Sequence, residues 1–136
     1  MEIPIKYRTC TFVQPVSYIC LVGNIKKPIE VELLVEAIEY FHSLPDKIQS
    51  KFLKSFDKTK VGLKGKWFKN IGDDIWEFRE RDNEKIYRLF AFWDKTGEEE
   101  TLIVATHGFN KKTNKTPKRQ KNKAIRIKQN YFNLRK

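Results

Sequence analysis

The sequence has few of the residues that build metal centres, disulfide frameworks and nucleophilic triads. Among 136 residues it has two cysteines, Cys10 and Cys20, and two histidines, His42 and His107. No CxxC pair or Cys/His cluster predicts a zinc site, and no Ser/His/Asp arrangement or nucleotide-binding glycine loop is recognisable. We therefore expect neither a metal nor a small-molecule cofactor. One cysteine pair in a charged chain indicates reduced thiols and a cytoplasmic protein.

Long apolar runs are also missing. The run YICLVG is too short for the apolar core of a signal peptide, and nothing approaches the length of a membrane span, so no membrane partner is expected. Hydrophobic residues make up 40% and aromatic residues 13%, which is enough for a folded core. The length predicts a single domain over residues 1–136, with residues 1–28 as a β-rich N-terminal extension.

Acidic residues are absent from the last 36 positions. From Thr101 onward there are eleven Lys and Arg and no Asp or Glu, which leaves seventeen basic and seventeen acidic residues in the first hundred. The formal net charge of +11 is therefore equal to the surplus of the C-terminal segment. Such asymmetry indicates either a polyanionic partner or a basic, solubilising C-terminal helix.

Apolar periodicity predicts an α+β fold that begins with one or two short strands and a helical hairpin. The N-terminal strands are broken at Pro15. From Ile29 onward apolar residues recur at helical spacing, and a second amphipathic helix follows Pro45. The stretch DKTKVGLKGKWFKNIGDD, with three glycines and many lysines, is predicted to be a loop.

An antiparallel meander and a last helix complete the predicted fold. IWEFRER and KIYRLFAFW flank turn residues and predict a hairpin, and TLIVATHGF predicts a buried central strand. Thr116 is placed to cap a C-terminal helix that starts at Pro117. Sheet and helices would then pack as an α+β sandwich.

The start of this last helix is a candidate anion site. Free amide groups and the helix dipole attract a phosphate there, whereas cations are unfavourable unless an anion binds. The cationic residues of the helix start and the preceding loop are Lys111, Lys112, Lys115, Lys118 and Arg119. The alternative is that these side chains extend into solvent.

Three arginines are predicted to lie near one another on the hairpin. Arg79 and Arg81 share a strand face and Arg88 lies on the neighbouring strand, so they could bind a phosphate by bidentate contacts. The alternative is a set of surface salt bridges, with Glu77, Glu80 or Glu84 as the partners.

His107, at the end of the predicted central strand, is either a structural residue or a proton carrier. Neighbouring cations would disfavour its charged form and allow it to act as a base near pH 7. RNA cleavage by 2′-hydroxyl attack needs only a base, an acid and cations that stabilise the transition state, so such a surface suffices chemically.

The segments KWFKNIGDDIWEFRERDNEKIYRLFAFWD and LIVATHGFNKKTNKTPKR resemble the phage-derived branch of the HigB/RelE-like toxins of bacterial type II toxin–antitoxin systems. The resemblance covers about Lys66 to Tyr131 and is carried mainly by the HGF, KKT and KTP spacing. It implies a compact RelE/ParE-like α+β fold and an mRNA endonuclease, usually ribosome-dependent, that inhibits translation. It also implies a cognate antitoxin, often a HigA-like helix-turn-helix protein.

The same resemblance assigns roles by position. Arg88 matches the arginine that contacts the scissile phosphate, Lys111 or Lys112 falls near a second cationic site, and Arg79 lies on the active face. Arg81, Lys115, Lys118 and Arg119 are expected to bind nucleic acid. Replacement of Arg88 by alanine is expected to lower cleavage by orders of magnitude without unfolding the chain.

The chain departs from the RelE pattern at two places. Glu77 stands where RelE has a lysine, and Lys118, Arg119 and Gln120 occupy the region of a RelE tyrosine, so the base and acid are not assigned by the resemblance. Two other functions stay open: a ParE-like poison of DNA gyrase, and a nucleic-acid-binding protein of this fold without catalytic activity.

Overall fold

A computed structural model describes residues 5–7, 28–111 and 116–134 of the chain. In chain order the elements are β1 (Ile5–Tyr7), β2 (Ile29–Leu33), α1 (Val35–His42), α2 (Asp46–Lys60), β3 (Phe68–Gly72), β4 (Ile75–Arg81), β5 (Ile86–Asp94), β6 (Thr101–Lys111) and α3 (Lys118–Leu134). This order confirms the predicted α+β class, with a helical hairpin, an antiparallel meander and a C-terminal helix.

The described strands form one six-stranded sheet in the order β1-β2-β6-β5-β4-β3. Strands β3 to β6 are an antiparallel meander, and β2 pairs parallel to β6 through Val31 and Ile103. The α1–α2 hairpin and the meander supply the long crossover that a parallel pair needs. β6 is therefore an interior strand, as its continuous apolar sequence predicted.

Two segments differ from the sequence-based prediction. Residues 29–33 form a strand and not the start of a helix, because Ile29, Val31 and Leu33 alternate along β2 and its backbone pairs with β6. The helix begins only at Val35. Residues 68–72, predicted as loop, form the edge strand β3 because they pair with β4. Of the N-terminal strand prediction, residues 5–7 form β1, and residues 8–27 lie outside the described part of the chain.

Each face of the sheet is covered by helices. On one face α1 and α2 bury Phe41, Phe52 and Phe56 against Phe78 and the inward side chains of the central strands. On the other face Ala124 and Tyr131 of α3 pack on Phe90, Phe92 and Val104. A shift of register between Phe90 and Ala91 in the β5–β6 pair brings His107 opposite Phe90, on the face that α3 covers.

Gly108 is the point of closest approach between β6 and α1. A Cβ atom at this position would lie 2.0 Å from Cδ2 of the Tyr40 ring, whose hydroxyl donates a hydrogen bond to Asn110. The ring therefore needs a glycine beneath it, for reasons of space and not of backbone conformation, since Gly108 is not among the residues with positive φ.

We expect Gly108→Ala to destabilise the protein by about 1–3 kcal/mol because the added methyl group overpacks this contact. Urea denaturation of the wild type and the variant would measure the difference. In a Tyr40→Ala background the ring is gone, and the same glycine substitution should then cost less than about 0.5 kcal/mol. An equal cost in both backgrounds would show that the ring contact is not the cause.

Candidate functional site

Two of the predicted arginines lie side by side on the α3 face of the sheet. Arg79 of β4 is the register partner of Arg88 of β5, and Arg88 is in turn opposite Phe109 of β6. The adjacent row holds Glu77, Phe90 and His107, which belong to the same three strands. Because register partners project to the same face, charged and aromatic side chains of β4, β5 and β6 meet in one patch.

Glu77 binds both arginines. Its Oε2 atom accepts a hydrogen bond of 2.9 Å from Arg79 Nη2, and its Oε1 atom lies 3.1 Å from Arg88 Nε. The side chains of Glu77 and Arg88 are 0% exposed, whereas that of Arg79 is 20% exposed. A buried carboxylate is costly unless it is paired, so Glu77 fixes the position of both guanidinium groups.

The same carboxylate also contacts the segment that leads into α3. The hydroxyl of Thr116 donates a hydrogen bond of 3.3 Å to Glu77 Oε1, and α3 begins at Lys118, one residue after the predicted start. The carbonyl of Pro117 accepts the amide hydrogen bonds of Gln120 and Lys121 and so closes the first turn of α3. Glu77 thus connects the two arginines of the sheet with the start of the basic helix.

Burial lowers the pKa of the Arg88 guanidinium; the charge of Glu77 raises it, and the charge of Arg79 lowers it. Arginine keeps its proton in proteins, so the patch holds two cations and one anion at neutral pH. Glu77 therefore forms salt bridges with the arginines, as the alternative interpretation of the sequence predicted. The salt bridges form a buried network and are not pairs on the surface. Glu80, on the opposite face, accepts a hydrogen bond from Ser55 instead.

His107 links β6 to α3. Its Nε2 atom lies 3.0 Å from Gln120 Oε1, its Nδ1 atom lies 3.0 Å from the Thr106 hydroxyl, and its ring stacks on Phe90 at 4.9 Å. An amide oxygen only accepts, so Nε2 carries the proton. The single hydroxyl proton of Thr106 faces two acceptors, His107 Nδ1 and the carbonyl of Phe90 at 3.3 Å. The residue is 2% exposed, and proton transfer to a substrate would require Gln120 to move away.

Burial lowers the pKa of His107 to about 4. The hydrogen bond with Gln120 and the charge of Glu36 raise it, whereas the charges of Lys123 and Arg126 lower it. The histidine is therefore neutral at pH 7, as a base must be, but a pKa of about 4 makes it a weaker base than the sequence led us to expect.

Of the other predicted cations, the structure describes Lys111 at the end of β6 and Lys118 and Arg119 at the start of α3. Lys111 is the last residue of β6, opposite Ile86, and Lys112 and Lys115 lie outside the described residues. Lys118 and Arg119 are the first two residues of α3 and both are exposed. With Lys123 and Arg126 they line an open cleft along the helix. No acidic residue offsets the helix dipole in the first turn, which makes this end strongly cationic.

Arg81 is separated from the arginine pair by its place at the end of β4. It is exposed, lies opposite Ile86, and its carbonyl accepts a hydrogen bond of 2.7 Å from Lys51 of α2. The structure thus groups Arg79 and Arg88 with the start of α3, and puts Arg81 nearer to α2. The contacts of Thr116 and Gln120 with the site were not predicted from the sequence, since only the fold brings each to its partner. Glu77 was expected only as a surface salt-bridge partner.

Within residues 28–111 and 116–134 there is no group of three or more side chains suited to hold a metal ion. In the part of the chain that the structure describes, no helix is both long and apolar enough to cross a membrane.

A protein family model matches most of the sheet and the helices packed on it. The model of a family described as "Phage derived protein Gp49-like" matches residues 39–129, about two thirds of the chain. The matched region runs from α1 through the sheet into α3 and includes the arginine pair, Glu77 and His107. β1 and β2 precede it. No curated protein matches the sequence.

Proposed function

Since the chain belongs to the Gp49-like family of phage-derived proteins, which is a RelE/HigB-like toxin family of toxin–antitoxin systems, we propose that it is a toxin that stops translation by cutting mRNA. The fold, with its C-terminal helix packed on a mixed α+β sheet, is consistent with a RelE-like fold. The observation that carries the proposal is the pair Arg79–Arg88, which Glu77 holds next to the cationic start of α3.

The proposed reaction is an internal transfer within the RNA. The 2′-hydroxyl loses its proton, a new O2′–P bond forms, and the P–O5′ bond breaks with a proton delivered to the leaving 5′-oxygen. Negative charge collects on the phosphate oxygens in the transition state, where fixed cations stabilise it. Arg88 and Arg79 are proposed as the phosphate ligands, because a guanidinium matches the geometry of phosphate oxygens.

Access to Arg88 sets a condition on this mechanism. In the described conformation Arg88 is buried, while Arg79 keeps 20% of its side chain exposed. An incoming phosphate therefore meets Arg79 and the exposed Lys118 and Arg119 first, and reaches Arg88 only when the groups above it move. On the α3 side, Thr116 contacts Glu77, the partner of Arg88. We therefore propose that Thr116 moves away when a phosphate approaches Arg88.

His107 is assigned a positioning role in this proposal. Its two ring nitrogens face Thr106 and Gln120, and so it fixes the first turns of α3 above β6. Lys111, Lys112 and Lys115 are proposed as further contacts to the RNA backbone, since Lys111 ends the strand that carries His107 and the other two follow it in sequence.

Membership of the family also implies an antitoxin partner. We propose a HigA-like helix-turn-helix protein as this partner and the ribosome as the place of cleavage. A small gene of that type directly beside the coding sequence would support the first proposal. Cleavage of a purified mRNA only when translating ribosomes are added would support the second.

Expression in a bacterial host tests the proposed activity. We expect growth to stop and new mRNA 5′ ends to accumulate within coding regions, which sequencing of 5′ ends would map. The control is the same vector carrying the gene with an early stop codon. Growth arrest with intact mRNA and an induced DNA-damage response would contradict cleavage and favour the gyrase-poison alternative. Continued growth with no new ends would leave only a binding protein of this fold.

A further inference from the structure

A second cationic surface lies on α2, on the opposite side of the sheet from α3. Lys47, Lys51, Lys54 and Lys58 are spaced by four, three and four residues, so they follow one side of the helix. We call this row the α2 stripe. It places one cation on each helical turn over about 16 Å, from eleven residues at about 1.5 Å each. Other side chains of α2, including those of Phe52 and Phe56, are buried in the core.

The stripe continues at its N-terminal end into the β4–β5 turn. Lys51 Nζ donates a hydrogen bond of 2.7 Å to the carbonyl of Arg81. Lys47, Lys51 and Arg81 line one cleft together with Asp82 and Asn83. Arg81, which is separated from the arginine pair of the candidate site, thus belongs to this second surface.

At its C-terminal end the stripe meets an exposed basic loop. Lys58 Nζ lies 4.4 Å from the centre of the Trp67 ring, which is the geometry of a cation–π contact. Residues 61–66 between α2 and Trp67 are all exposed, and Lys64 and Lys66 are among them. The cationic surface therefore extends beyond the helix itself.

Few acidic groups offset these charges. Residues 46–69 contain eight lysines against two acidic residues, Asp46 and Asp57. Lys60 is 3.6 Å from Glu30, and Glu80 lies close enough to Lys51 and Lys58 for their charges to act on it. The local surplus stays positive. The charge count over the first hundred residues is neutral and does not reveal this local positive surplus, because the acidic residues that balance the α2 lysines lie in other elements.

We propose that the α2 stripe binds the phosphate backbone of double-helical RNA, as a docking surface separate from the candidate site; the choice of RNA over DNA rests on the proposed function. Lysines at regular spacing supply point charges of the kind that contact duplex phosphates without reading sequence. Single-stranded ligands are held by exposed aromatic platforms, whereas Phe52 and Phe56 of α2 are buried and Lys58 covers the half-buried ring of Trp67. Protein interfaces are depleted in lysine, and membrane-bound helices present an apolar face. α2 turns its apolar face into the core, and the adjoining loop exposes only two large apolar side chains, Val61 and Leu63, among its lysines.

A pair of matched double variants tests the proposal by binding alone, independently of any cleavage. Lys54→Gln/Lys58→Gln removes one helix lysine and one lysine that lies over a tryptophan. Lys95→Gln/Lys128→Gln removes the same kinds of group elsewhere, since Lys95 lies 5.5 Å from the Trp93 ring and Lys128 is on α3. Glutamine has nearly the helix propensity of lysine, so both variants should fold.

The probes are a short RNA duplex, a DNA duplex of the same length, single-stranded RNA and polyglutamate. We expect the stripe variant to bind the duplexes roughly ten- to a hundredfold more weakly at about 0.1 M salt, with a salt slope lower by about two. The control variant should lose less than about threefold. A loss by the stripe variant that is confined to the DNA duplex would contradict RNA as the occupant. Equal losses by both variants, or a loss by the stripe variant that is as large for polyglutamate, would overturn the proposal.

Lysine acetylation with mass spectrometry gives an independent readout on the wild-type chain. We expect the RNA duplex to protect Lys54 and Lys58 from acetylation and to leave Lys95 and Lys128 reactive. Protection confined to lysines of the last 36 residues would place the duplex at the α3 side and would overturn the assignment to α2.

Discussion

The Arg88→Ala variant is expected to lose about 100- to 1000-fold in mRNA cleavage and also about 3–5 kcal/mol of unfolding free energy. From the sequence alone this substitution was expected to spare the fold. The structure reverses that expectation, because Arg88 and Glu77 are both 0% exposed and form an ion pair at 3.1 Å. Removal of the arginine leaves a buried carboxylate with one cationic partner fewer, which is strongly destabilising.

Loss of activity in this variant alone would therefore not separate catalysis from folding. The matched variant is Arg88→Met/Glu77→Gln, which removes both charges of the buried pair while the amide can still accept from Arg79 and Thr116. We expect this double variant to regain most of the lost stability in urea denaturation, since replacement of a whole buried pair is often nearly neutral. Cleavage, measured by mapping mRNA 5′ ends, should stay as low as in the single variant.

Two results would contradict this account. A double variant that cuts mRNA like the wild type would show that Arg88 is not a phosphate ligand. A single variant as stable as the wild type would show that the Arg88–Glu77 pair contributes no net stability. Because the two readouts are separate, failure of one leaves the other informative.

The strands and helices with strong local signals were predictable from the sequence. The alternation in IWEFRER, the turn residues after it and the apolar run of β6 define the meander, and Pro117 marks the start of α3. β2 was mistaken for helix because IEVEL also fits helical spacing with the residues that follow. Only pairing with β6, about seventy residues away, decides for a strand. β3 was missed for a similar reason. FKNIG has no alternating strand pattern, and it becomes a strand only because it pairs with β4.

The candidate site was predictable as a set of cations but not as a network. Strand alternation and the hairpin turn place Arg79 beside Arg88, and the structure confirms that adjacency. Glu77 was recognised only as a possible surface partner, because burial depends on what α3 covers. The α2 stripe was missed for a different reason: helical spacing of its lysines is visible in the sequence, but the acidic residues of the first hundred positions concealed their surplus.

His107 is expected to make stability depend on pH by about 3 kcal/mol. Burial lowers its pKa in the folded protein to about 4, whereas an unfolded histidine titrates near 6.5. Between these values the unfolded chain binds a proton that the folded chain does not. The stabilisation is therefore fully present above about pH 6.5 and is lost progressively as the pH falls towards about 4.

Urea denaturation between about pH 4 and pH 7 would measure this dependence. His107→Gln cannot titrate and should flatten the curve over that interval, even though its absolute stability at pH 7 is lower than that of the wild type. His42→Gln is the matched control, since His42 is exposed on α1, and it should keep the wild-type slope. If His107→Gln retains the full slope, the histidine is not held neutral by its burial between β6 and α3. The positioning role would then fail, and a solvent-accessible proton carrier on β6 would be the better account of this residue.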